Sequence, residues 1–148
     1  MFADVFRDGP ENNYHLWKEF KWLPVISVAP VRRPKLDETG TQHSFAAEKE
    51  LMMEKMRVVL RITSHWGFTS ICLGAFGVGN VFRNPVGEVA KIWRRLLFEE
   101  EEFRGVFENV VFAIENNAAG GTEKTGSADL DMFRKEFDPS NVFRTQYR

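Results

Sequence analysis

The chain has 148 residues, 43% hydrophobic and 14% aromatic, enough apolar material for one buried core and one domain. Its net charge of −1, with Lys and Arg scattered, supplies no basic field and excludes a sequence-independent grip on nucleic-acid phosphates. There is no run of about eighteen apolar residues and no signal-peptide core, so a soluble chain is expected, with no membrane partner and an intracellular address, cytoplasmic or nuclear.

Phe2 to Phe6 reads as a short strand. Residues 9–20 are polar and turn-rich, with His15, Trp17 and Phe20 as packing residues. Leu23 to Pro30 predicts a second, buried strand whose prolines sit near its ends, where they are tolerated. Pro30 to Gly40 is a loop carrying Arg32, Arg33 and Lys35, either a solvated connection or a wall near a ligand. From Ser44 to Trp66 a long helix is predicted, because Met52, Met56, Val59, Thr63 and Trp66 recur at three- and four-residue steps. Gly67 ends it in the position that favours a left-handed residue, and His65 in the last turn complements the helix dipole.

Ile71, Leu73 and Ala75 then mark a short apolar strand of the kind buried in a parallel sheet. Cys72, the only cysteine, reads as a small buried apolar residue in a reducing compartment. No Cys/His spacing suits zinc, so no metal is expected. Gly74, Gly77 and Gly79 follow, letting the backbone turn sharply and approach a ligand without a Cβ in the way. Asn84-Pro85 is a helix-start signal, Asn as the cap and Pro at the first helical position. A loop rich in N–H groups before a helix N-terminus is a ready anion site. The third glycine of a dinucleotide fingerprint is absent, since Gly77-Val78-Gly79-Asn80-Val81-Phe82 ends in Phe, and no GKS or GKT makes a P-loop. On these residues alone, a phosphate loop and a structural turn both stand.

The next helix, Pro85 to Phe98, places Val89, Ile92, Trp93, Leu96 and Leu97 on one face, as a helix lying on a sheet requires. Arg94 and Arg95 suit its C-terminal end, and Glu99–Glu102 read as a solvated charge run where the helix breaks. Phe103, Val106 and Phe107 anchor a turn before a strand from Asn109 to Glu115, which a right-handed crossover makes parallel to the strand at 71. Residues 116–128 form a flexible loop by composition. Asp129 to Phe137 is a short helix with Leu130, Phe133 and Phe137 inward, and Val142, Phe143 and Tyr147 pin the tail.

The string Leu73-Gly-Ala-Phe-Gly-Val-Gly-Asn-Val-Phe-Arg-Asn-Pro85, then Glu88 to Leu97, then Val110-Val-Phe-Ala-Ile114, resembles the C-terminal half of the microbial-type poly(ADP-ribose) glycohydrolase (PARG) catalytic domain. That family belongs to the macrodomain superfamily, and its diphosphate loop looks like L-G-A-[WF]-G-C-G-x-F-x-N-P. The likeness covers most of residues 1–115 and the Glu136-Phe-Asp-Pro139 stretch. Val78 departs from it where Cys is commoner, and Asn80 reads as one extra residue before the Phe. The resemblance implies an α/β, three-layer macrodomain-like fold with a mostly parallel central sheet. Residues 1–148 would form one partial, N-terminally truncated domain.

It also implies that N–H groups from Gly77 through Val81 meet the two phosphates of ADP-ribose. The expected ligand-binding residues are Gly74, Gly77, Val78, Gly79, Asn80, Val81, Phe82 and Asn84, with no cofactor and no metal. Phe82 matches the loop aromatic that packs on the distal ribose, or else lies buried under the loop; Asn84 is chiefly a cap. In the family, catalysis comes from a Gly-Gly-Gly loop and a Gln-Glu-Glu motif whose second Glu is the acid–base. Neither occurs here: Gly120-Gly121, with Thr122-Glu123 behind it, lies after the last strand. No residue is therefore assigned a catalytic role. Three expectations follow: a module that holds ADP-ribose or a poly(ADP-ribose) terminus, half of a glycohydrolase completed by a separate chain or a missing N-terminal segment, or an inactive remnant.

Overall fold

The computed structural model describes residues 2–114 and 125–142, and the side chains of all of these but 125–127. In chain order the elements are β1 (Phe2–Arg7), β2 (Leu16–Pro24), α1 (Ala46–His65), β3 (Ser70–Gly74), α2 (Val86–Phe98), β4 (Asn109–Ala113), α3 (Thr125–Glu136) and α4 (Pro139–Val142). β3 and β4 form a parallel pair, Ser70 opposite Asn109 through Gly74 opposite Ala113, and α2 is the crossover between them. β1 and β2 form a separate antiparallel pair, with Phe2 opposite Pro24 and Arg7 opposite Leu16.

The hairpin differs from the predicted elements. β2 begins at Leu16, inside the stretch read as turn-rich, and pairing stops at Pro24. Val25–Pro30, predicted as part of a buried strand, lies outside any strand and makes no hydrogen bond among the described residues. The strand-favouring residues are there, but β propensity acts only through a neighbouring strand, and none lies alongside. On the hairpin, Phe20 and Trp22 are largely exposed. At the other end, α3 starts at Thr125 rather than Asp129, so the last four residues of the predicted 116–128 loop are helical. Gly120–Glu123, Phe143 and Tyr147 lie outside the described residues.

Helical periodicity did place the core. α1 buries Met52, Met53, Met56, Val59, Leu60 and Thr63, and α2 buries Val89, Ala90, Ile92, Trp93, Leu96 and Leu97. Leu73 of β3, Phe103 and Phe133 complete the cluster. The Trp93 ring meets Phe76 and Phe112 at 6.1 and 6.5 Å, and Phe112 meets Phe137 at 4.7 Å. Trp66, expected on the α1 stripe, is 67% exposed, because it sits one residue past the last helical turn. Gly67 takes the expected left-handed conformation, with φ of +73°. Cys72, expected buried, is exposed. Its neighbour Leu73 takes the core face, and a sheet of two strands leaves the other face uncovered.

The acidic run at 99–102 is not simply solvated. Glu100 takes a two-pronged pair from Arg57 of α1, at 2.9 Å from Nε and 2.6 Å from Nη2, and Glu102 takes another from Arg61 at 2.6 and 2.8 Å. These pairs strap the end of α2 to α1. The Arg57 guanidinium holds the Glu100 carboxyl below its ordinary value, outweighing the opposing effect of burial. A lowered folded value adds stability above the unfolded value of 4.5, and that stability is lost as the pH falls through the folded value. Glu100→Gln is expected to cost about 1 kcal/mol at pH 7 and much less at pH 3, read by urea denaturation at both. Equal costs at the two pH values would refute the pairing. No helix among the described residues is long and apolar enough to cross a membrane.

Candidate functional site

The loop Gly74–Asn84 runs from the end of β3 to the start of α2. Gly74 is the last paired residue of β3, and its carbonyl accepts from the Phe76 N–H at 2.9 Å. The Val78 N–H turns inward to the Ala75 carbonyl at 2.9 Å, and the Val78 side chain packs on the core. The N–H groups of Gly77, Gly79, Asn80, Val81 and Phe82 have no acceptor among the described residues. Asn80 and Val81 are exposed, and Phe82 is half-buried. Gly77 and Gly79 have φ of +74° and +98°, where side chains are strained. At Gly77 there is also no room, since a Cβ would stand 2.6 Å from Asn84 Nδ2 and 2.7 Å from Pro30 Cβ. At Gly79 the space is open.

Asn84 does not cap the helix. Pro85 holds the cap position, without any side-chain cap bond. Asn84 is instead buried, and its amide donates to the carbonyls of Val31 at 2.7 Å and Gly77 at 3.0 Å. The side chain is turned so that its Nδ2 serves the Val31 carbonyl, which has no other donor among the described residues, and its Oδ1 meets His43 instead of a helix N–H. The same side chain faces His43 Nε2 through its Oδ1 at 3.2 Å.

His43 opens a cluster that the sequence did not single out. Its side chain is fully buried, its ring Nδ1 contacts Glu88 Oε2, and its main-chain N–H donates to the same oxygen at 2.7 Å. Glu88, in the first turn of α2 and 5% exposed, accepts at its other oxygen from Lys49 Nζ at 2.7 Å. Burial by itself would raise the Glu88 carboxyl; the Lys49 ammonium and both His43 donors outweigh it and hold the group below its ordinary value. Glu88 appeared in the sequence only within the α2 segment, and His43 fell between the predicted loop ending at Gly40 and the predicted helix starting at Ser44. The partners lie 39 to 45 residues apart, which no local pattern reports.

Pro30–Arg33 closes the back of the loop. Pro30 abuts Gly77, Val31 accepts from Asn84, and the Arg33 N–H donates to the Phe82 carbonyl at 2.6 Å. The arrangement is a glycine turn held from behind by Asn84, His43 and Glu88, at the positive end of the α2 dipole. Asn84→Ala strands the Val31 carbonyl and a His43 ring nitrogen, while the Gly77 carbonyl keeps the Asn84 main-chain N–H at 3.0 Å; it is expected to lower stability by about 1–3 kcal/mol in thermal denaturation. A change under about 0.5 kcal/mol would show that the loop does not depend on it.

No family model matches the chain, and no curated protein matches it. Solved structures do. The poly(ADP-ribose) glycohydrolase of Deinococcus radiodurans in complex with ADP-ribose aligns at 27% identity and a TM-score of 0.71, over 95% of this chain and 52% of that one. The glycohydrolase of Thermomonospora curvata aligns at 27% and 0.67, over 92% and 46%. The Thermomonospora curvata glycohydrolase bound to the inhibitor ADP-HPD aligns at 26% and 0.68, over 92% and 48%. The chain thus spans about half the length of the structures it matches. By fold it is a partial poly(ADP-ribose) glycohydrolase-like domain of the microbial type, α/β and macrodomain-like.

Proposed function

We propose that the chain binds ADP-ribose, free or as the terminal unit of poly(ADP-ribose), through the loop Gly74–Asn84. The observation that carries this reading is the run of N–H groups at Gly77, Gly79, Asn80 and Val81 without acceptors among the described residues, just ahead of α2. Donors of that kind beside a helix N-terminus suit a diphosphate, and each charge-assisted bond contributes about 1.5–3 kcal/mol once water is excluded. The structural relatives solved with ADP-ribose or ADP-HPD bound support the choice of ligand. In this reading Gly74 and Gly79 allow close approach, Phe82 lies against the distal ribose, and Asn84 acts from behind the loop. Val78 contributes packing rather than a donor.

No side chain is assigned as the acid–base carboxyl that glycosidic hydrolysis requires, so the chain by itself is a binding module. The half-length match favours one second reading, in which the same loop serves a glycohydrolase whose acid–base group lies in the half of the fold absent here. An intracellular site of action, cytoplasmic or nuclear, goes with both. Calorimetric titration with ADP-ribose is expected to give one site with a dissociation constant on the order of micromolar, about −8 kcal/mol. Absence of binding by a folded chain overturns the reading. Release of ADP-ribose from the polymer by the isolated chain overturns the non-catalytic part of it.

A further inference from the structure

A cavity of about 640 Å³ is lined by Val25–Val28, by every residue of β3, and by Ile62 and Thr63 of α1 among others. Neither flanking stretch is paired along it. β3 bonds to β4 at one edge only, and Val25–Val28 makes no hydrogen bond among the described residues. Main-chain N–H and C=O groups are obligatory bonding partners, and Val25, Ile26 and Val28 are strand-favouring residues. Two stretches that line one apolar cavity with no pairing partner there are what a sheet leaves when a strand is missing from it. Trp93, which also lines the cavity, is 1% exposed, and its Nε1–H has no acceptor among the described residues. The chain itself aligns almost end to end with structures about twice its length.

We propose that this cavity seats a β-strand of the polypeptide carrying the other half of the fold, laid between β3 and Val25–Val28. Main-chain bonds to the free edge of β3 hold that strand, and its alternate apolar side chains fill the slot over α1. It extends the β3–β4 pair to three strands and gives Val25–Val28 the neighbour its composition requires. A second copy of this chain is a poorer occupant, because it brings the same half and the same unfilled slot. The proposal rests on β3 and Val25–Val28 rather than on the ligand loop, so it stands or falls apart from ADP-ribose binding.

Amide deuterium exchange and maleimide labelling of Cys72, which is exposed and lines the cavity, test it. In the isolated chain the amides of Val25, Ile26 and Val28 are expected to exchange with little protection and Cys72 to label freely. The part of the Deinococcus radiodurans enzyme that this chain leaves unmatched is then joined ahead of it in one hybrid polypeptide. Exchange at those amides should slow by roughly 100-fold or more, and Cys72 labelling should fall roughly tenfold. Cys72→Arg should leave the Tm of the isolated chain nearly unchanged and lower that of the hybrid. Protection of Val25–Val28 in the isolated monomer overturns the proposal, as does protection that grows with chain concentration and so belongs to a second copy. A folded hybrid in which those amides and Cys72 stay open overturns it as well.

Discussion

Gly79→Glu is expected to weaken ADP-ribose binding by at least ~100-fold, about 2.8 kcal/mol, while the circular dichroism spectrum stays that of the parent chain. The position isolates the ligand effect. A Cβ there meets nothing within 4 Å, so no packing is disturbed. The φ of +98° adds backbone strain of about 1–3 kcal/mol, which the loop can relieve because Gly79, Asn80 and Val81 are exposed. The new carboxylate would stand among the N–H groups proposed to receive the diphosphate. It can take those donors for itself and repel a phosphate, and losing one or two charge-assisted bonds accounts for the size of the effect. Gly79→Ala carries the strain without the charge and separates the two causes by calorimetry. If Ala and Glu weaken binding equally, loop shape and not anion recognition is the basis; if Glu binds as the parent does, the loop is not the site.

Glu88→Ala is expected to cost about 3–5 kcal/mol of stability, a fall in Tm of roughly 10 °C. The carboxylate is nearly inaccessible and serves three donors: the His43 N–H, the His43 ring and the Lys49 ammonium. Removing it leaves two buried His43 groups without an acceptor and cuts the first turn of α2 loose from α1. The loss should reach the glycine loop too, since His43 steadies Asn84 and Asn84 holds the Gly77 carbonyl. Because the folded carboxyl lies below the ordinary value of 4.5, its contribution is fully present above that value and fades as the pH falls through the folded one. The difference between Glu88→Ala and the parent chain should therefore shrink under acid conditions. Thermal denaturation at neutral and acid pH reads both effects; a cost below about 1 kcal/mol at neutral pH would mean that this cluster does not hold the site together.

Local periodicity and turn chemistry by themselves determined α1, α2, the β3–loop–α2 order and the glycines at 77 and 79. Each depends on residues within a turn or two of one another. Met52, Met56 and Val59 share a helix face whatever else the chain does, and the sharp turn after β3 favours glycine at 77 and 79, where φ is +74° and +98°. The fold family was legible for the same reason, through the Leu73–Pro85 string. Only the tertiary structure decided the rest. Asn84 looked like a cap because its neighbours are helical, yet its partners are Val31, Gly77 and His43, as far as 53 residues away. Glu100 and Glu102 looked solvated because Arg57 and Arg61 are more than 40 residues distant in sequence. Val25–Pro30 has the composition of a strand but no strand beside it, and Cys72 has the setting of a buried residue on a sheet too narrow to bury it. A side chain's own chemistry sets what it can bond to; the three-dimensional path of the distant chain sets which partner arrives, and burial then makes that choice costly to undo.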